Sequence, residues 1–317
     1  MVFRLISLAH VHLLLNHFPT VGFGIGLALF LVALAVRNDP MKRAGLVIFF
    51  LMALITIATY VSGNAAESVI KGRPDVSQAL IREHEGAAFW GYLFMEITGF
   101  MAWLGLWRFR VIKRLTTWNL AAVLVLSILT FVTMMRAADL GGQIRHPEIQ
   151  SQQIASTADP ESGSDTAKAI GSFVNEHSWV WPTCETLHFI GLSLLFTVVL
   201  IVDLRLLGMA RKFSFAAVYQ LLPMGMLGFG INLATGMMFF VASPDQYIKN
   251  VSFHWKIVFV LLAGINALYF MLVEEPWTVG PGEDAPATAK FVAASAIFLW
   301  VGVLFFGHML PFLGNSF

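Results

Sequence analysis

Long apolar runs separated by short polar stretches recur eight times along the chain, at about 18–36, 44–62, 87–107, 117–137, 184–204, 214–241, 252–273 and 289–312. A helix needs about 20 mostly apolar residues to cross the hydrocarbon layer of a membrane. Each run therefore predicts one transmembrane helix. The first run begins near Leu5 and is too long for a single crossing. Pro19 suits the first turn of a helix, where its missing N–H would have no partner anyway. The first span is thus expected to start near Phe18, with residues 3–15 on the membrane surface. No basic stretch or small-residue cleavage pattern precedes that span, which argues against a signal peptide.

Lysine and arginine in short loops set orientation, because cytoplasmic loops carry the excess of positive charge. Arg37, Lys42 and Arg43 follow span 1, Arg108, Arg110, Lys113 and Arg114 follow span 3, and Arg205, Arg211 and Lys212 follow span 5. These loops are expected on the cytoplasmic side of a bacterial inner membrane. The loop after span 7 (Glu274, Glu275, Glu283, Asp284) joins them by parity although it is acidic. Both termini and the polar segment 138–182 then face the periplasm. The Gln, Ser, Asp and Gly content of that segment reads as an exposed loop.

Composition narrows the function. The 317 residues are 57% hydrophobic and 12% charged, against about 45–50% and about 25% in soluble domains. This excludes an ordinary soluble enzyme, a disordered chain and a nucleic-acid binder. A net charge of +1 implies no polybasic or acidic partner. The single cysteine, Cys184, excludes a disulfide framework, a Cys-rich zinc module, an iron–sulfur site and a Cys-x-x-Cys-His haem attachment.

Landmarks recur between the two halves. His17 opens span 1 in Asn16-His17-Phe18, and His188 opens span 5 in Leu187-His188-Phe189. His84 precedes span 3 and His254 opens span 7. Ala58-Thr59 near the end of span 2 has a counterpart in Ala234-Thr235 of span 6. Leu140-Gly141 after span 4 has one in Leu313-Gly314 after span 8. These positions predict an all-α membrane protein of eight spans, made of two tandem four-helix bundles. The first unit covers 1–137, a periplasmic loop 138–182, and the second unit 183–317. An even number of spans per unit gives the two copies parallel topology.

On this plan all nine histidines lie toward the periplasmic side. An imidazole in lipid is costly unless it faces the bundle interior with a partner. Two imidazoles facing each other across a four-helix core suit axial ligation of a haem iron. The expected ligand pairs are His17 with His84 and His188 with His254, holding two b-type haems. His308 competes for a place in the second pair, or orients a propionate. His146 is a fold-back candidate in the first unit, and His10 and His12 are the weakest haem candidates. Arg82, Arg136, Arg145 and Lys256 are the candidate propionate cations. Gly22, Gly24 and Gly26, with Gly225, Gly228 and Gly230, offer close approach of a flat ring, although glycines in membrane helices commonly serve helix packing. Phe18, Phe89, Trp90, Phe189, Phe253 and Trp255 offer aromatic cover, or an interfacial belt.

Asn16-His17-Phe18-Pro19, with Leu140-Gly141-Gly142-Gln143-Ile144-Arg145-His146, resembles an uncharacterised family of four-span bacterial membrane proteins over residues 10–147. The segments Glu185-Thr186-Leu187-His188-Phe189-Ile190-Gly191 and His254-Trp255-Lys256 resemble a second such family. Both layouts are similar to the cytochrome b561-like and copper-resistance D-like bundles. The resemblance implies b-type haem and electron transfer. Cytochrome b561 proteins bind haem on both sides of the membrane, whereas this chain carries its histidines on one side. Transfer straight across through two stacked haems is therefore not implied.

Three function classes follow. The first is a di-haem membrane cytochrome passing electrons between membrane quinol and a periplasmic c-type cytochrome or other subunits of a respiratory or photosynthetic complex. Glu67, Glu83, Glu85, Asp139 and Glu185 are its candidate proton acceptors. The second is a copper or zinc site or transporter at the outer face, using His10, His12, His17, Glu83, His84 and Glu85. The third is a non-redox anchor that holds partner subunits, with structural histidines.

Overall fold

A computed structural model of the chain describes residues 7–73, 76–145 and 166–313. Among the described residues all regular structure is helical, with no strand. The long helices are α1 (Leu8–Leu15) continuing through a π-helical turn (Phe18–Gly22) into α2 (Phe23–Ala35), then α3 (Asp39–Ile70), α4 (Gln78–Ile112) and α5 (Thr117–Arg145). They are followed by a short α6 (Thr166–Glu176), α7 (Val180–Leu206), α8 (Phe215–Tyr219) leading into α9 (Leu222–Ala242), α10 (Pro244–Ile248), α11 (Val251–Leu272), a 3-10 turn (Glu275–Thr278), α12 (Ala287–His308) and α13 (Leu310–Leu313). Eight of the segments are long and apolar enough to cross a membrane. The protein is a multi-pass membrane protein.

The first span begins at Leu8, not near Phe18. Residues 8–15, expected on the surface, instead pack as a helix against α3. Pro19 does not break the run, because the π-helical turn absorbs its missing N–H and Thr20 Oγ1 donates to the carbonyl of Asn16 at 2.9 Å. Several helices also outrun their apolar cores. α4 starts at Gln78, so His84 lies inside a helix, and α5 runs to Arg145. The polar segment 138–182 is partly helical for the same reason, through the end of α5 and through α6.

The chain divides into two compact units, residues 1–105 with 115–172, and residues 106–114 with 173–317. In the first, α3 packs against both α1 and α2, and Phe23, Phe30, Phe49 and Leu46 are completely or almost completely buried. In the second, α7 packs on α9, and α11 on α12. An aromatic knot closes one end of the second unit: Phe215 and Tyr219 lie 5.4 and 4.9 Å from Trp277, ring centre to ring centre.

Three of the cations read as loop charges, Lys42, Arg110 and Arg205, are buried. Arg205 is 0% exposed and donates to the carbonyls of Phe213, Gly280 (2.8 Å) and Glu283 (3.3 Å). Arg110 is 2% exposed, donates to the carbonyl of Met271 and pairs with Glu274. A guanidinium has five donors in a rigid fork. Arg205 ties loop carbonyls together, and Arg110 ties the last turn of α11 to the acidic loop that follows it.

Candidate functional site

Two histidines of the first unit occupy equivalent settings on different helices. His12 of α1 places Nδ1 at 3.0 Å from the Thr59 carbonyl of α3. His84 of α4 places Nδ1 at 2.8 Å from the Ala137 carbonyl of α5. A carbonyl only accepts, so each Nδ1 carries the hydrogen and donates it. Nε2 then bears the lone pair, and it has no hydrogen-bond partner among the described residues. The two rings are close enough for the charge of one to act on the other.

A glycine one turn beyond each carbonyl admits the ring. A Cβ at Gly63 would stand 3.3 Å from His12 Cε1, and one at Gly141 would stand 3.2 Å from His84 Cε1. Those separations are tighter than ordinary carbon contacts, so a Cβ at either position forces the imidazole to give by a few tenths of an ångström. Carbonyl and glycine together fix where each Nε2 lies.

The second unit repeats half of this arrangement. His188 of α7 places Nδ1 at 2.8 Å from Thr235 Oγ1 of α9. That hydroxyl spends its own hydrogen on the Ile231 carbonyl at 2.7 Å. It therefore accepts from His188, which again leaves Nε2 as a lone-pair nitrogen. Gly236 lies beside the ring, with a would-be Cβ at 3.8 Å from Cε1. His12 and Thr59 are 47 residues apart, and so are His188 and Thr235.

The other histidines are placed differently. His17 is exposed at the π-helical turn and makes no hydrogen bond among the described residues. His254 uses Nε2 itself, 2.8 Å from the Ile248 carbonyl, so its lone pair sits on Nδ1 beside its own backbone. His308 is exposed and lies against Phe312. His10 bonds Ser7, and His177 bonds the Phe173 carbonyl. His146 lies outside the described residues. His12 lies within charge range of His84. The structure places Lys256 within charge range of His188, with Lys256 Nζ 3.8 Å from where a Cβ of Gly307 would stand. Arg136 and Arg145 are both exposed.

Charged groups gather near the first pair. Lys71 Nζ lies 3.1 Å from Glu67 Oε1, Lys168 Nζ lies 3.2 Å from Glu85 Oε2, and the two carboxyl groups lie near each other. Deeper in α4, Glu96 Oε1 is buried without a hydrogen-bond partner among the described residues. It lies near Tyr92, whose ring centre is 4.7 Å from that of Tyr60. Glu96 was missed by sequence reasoning, though a carboxylate within an apolar span is itself a signal. Among the described residues no three His, Cys, Asp or Glu side chains come together as a metal cluster. Comparison with protein-family models, curated proteins and solved structures finds no match for this chain.

Proposed function

We propose that the chain is a b-type haem cytochrome of a bacterial inner membrane, built from a duplicated four-helix unit. It passes electrons between membrane quinol and a periplasmic partner, a c-type cytochrome or another subunit of a respiratory or photosynthetic complex. The observation that carries this reading is the His12–His84 pair: two imidazoles from different helices, each with its hydrogen committed to a main-chain carbonyl and its Nε2 lone pair free.

The donor set fits a porphyrin iron better than a bare ion. Zinc sites use three or four protein ligands, whereas a haem iron already has four ring nitrogens and needs only two axial donors. When bound, haem supplies storage of one electron at a potential set by its axial ligands and their surroundings. The protein contributes the rest. Thr59 and Ala137 carbonyls fix the tautomer and raise the basicity of the ligating nitrogens. Gly63 and Gly141 set the rings against their helices. Quinol oxidation also releases protons, and Glu67 with Glu85, the latter next to His84 in sequence, serves as the acceptor pair in this reading.

The test is a pyridine-haemochrome assay and a reduced-minus-oxidised spectrum on the purified full chain. A b-type band, diminished in His84→Ala, is expected. Absence of haem, or a band unchanged by His84→Ala, overturns the reading, and stoichiometric copper or zinc in its place favours the outer-face metal site.

A further inference from the structure

The second unit has the first imidazole of the pair and lacks the second. His188 stands as His12 does: ring nitrogen on the neighbouring helix, 47 residues to its acceptor, glycine alongside. The place of His84 is filled by another nitrogen. In the first unit His84, on α4, lies against Gly141 of α5. In the second, Lys256, on α11, lies against Gly307 of α12, with both Cε and Nζ 3.8 Å from a would-be Cβ. His254, two residues earlier, has its Nε2 occupied by the Ile248 carbonyl. Lys256 Nζ makes no hydrogen bond or ion pair among the described residues, and it is near enough to His188 for their charges to interact.

We infer that the second unit holds its haem iron between His188 Nε2 and Lys256 Nζ, an imidazole and an amine, where the first unit uses two imidazoles. An amine is an iron ligand only as the free base. On binding, the Lys256 ammonium would give one proton to water and its free amine would take the open coordination position of the iron, with no change in oxidation state. The inference rests on the haem reading of the previous subsection and adds a distinct ligand set to it.

The ligand sets differ in electron paramagnetic resonance and in near-infrared magnetic circular dichroism of the ferric protein. The experiment combines both with a haem count on the purified full chain. Wild type should hold two haems with two low-spin signals, one bis-imidazole and one imidazole–amine. Lys256→His should keep the count and turn both signals into bis-imidazole ones. Lys256→Arg keeps the positive charge but offers no ligating lone pair, and should lose the amine signal alone. The bis-imidazole signal of the first unit then reports that the variant is folded. His84→Ala should do the reverse, losing the bis-imidazole signal and sparing the amine one. Two bis-imidazole signals in wild type overturn the inference, as does a single haem per chain unaffected by Lys256→His. Both of those results leave the first site standing. A chain with no haem overturns the haem reading itself.

Discussion

The first unit orients both paired imidazoles with main-chain carbonyls, those of Thr59 and Ala137, while the second orients His188 with the side-chain hydroxyl of Thr235. A helix carbonyl cannot be moved or removed by substitution, and it holds its ring as rigidly as the helix itself. A hydroxyl depends on one residue. The glycines differ in the same sense. Gly63 and Gly141 touch their imidazoles at 3.3 and 3.2 Å across a virtual Cβ, and Gly236 stands off at 3.8 Å. One unit is thus fixed by backbone and tight packing. The other is set by replaceable side chains.

Substitutions at the glycines should separate the units most strongly. Gly141→Ala inserts a methyl against His84, and overpacking of this kind costs about 1–3 kcal/mol, against about 1 kcal/mol gained by alanine over glycine in a helix. The imidazole must give way, so the first unit's low-spin signal should shift or be lost. Gly236→Ala meets only ordinary contact and should leave the second unit's spectrum unchanged while raising thermal stability. Equal spectral damage from both variants would erase the distinction.

Next in size is the threonine pair. Thr235→Val removes the acceptor of His188 and leaves a half-buried N–H unsatisfied, at a cost of about 1–3 kcal/mol. The second unit's spectrum should change. Thr59→Val keeps the carbonyl that His12 uses and should leave the first unit's spectrum as it was. The measurement is the ferric low-spin spectrum of each variant beside wild type.

The smallest effect belongs to the loop between α11 and α12. Lys290, at 2.6 Å from Asp284, and then Arg211, at 3.3 Å, hold the Asp284 carboxyl below its ordinary value. A depressed carboxyl stabilises the fold fully above its unfolded pKa, about 3.9, and loses that contribution as pH falls through the folded value. Asp284→Asn should therefore lower the melting temperature slightly at pH 7. The difference from wild type should shrink as pH falls through the lowered value and the carboxyl becomes protonated in the folded state as well. The pair is exposed, which keeps the effect small. A gap that widened in acid would contradict the assignment.

The eight crossings were legible because hydrocarbon selects for continuous apolar runs. Helix ends were not, since hydropathy marks the membrane core and helices such as α4 and α5 continue past it into polar sequence. The start of the first span was misplaced because Pro19 reads as a helix opener, while the chain carries it inside a π-helical turn. At the site, similar His17–His84 and His188–His254 spacings draw attention to His17, whereas the hydrogen bonds single out His12: Ala58-Thr59 and Ala234-Thr235 mark the acceptors, and His12 stands at the same 47-residue interval from its threonine as His188 does. Which ring nitrogen is free depends on acceptors from other helices or from a preceding turn, as with Ile248 and His254, and single-sequence spacing does not carry that information.

The central claim is that His12, and not His17, shares a ligand with His84. Measuring the ferric low-spin signal and haem content of purified His12→Ala beside His17→Ala tests it most directly. The account predicts loss of the bis-imidazole signal in His12→Ala and a wild-type spectrum in His17→Ala. The opposite pattern, with His12→Ala unaffected and the signal gone in His17→Ala, would contradict it.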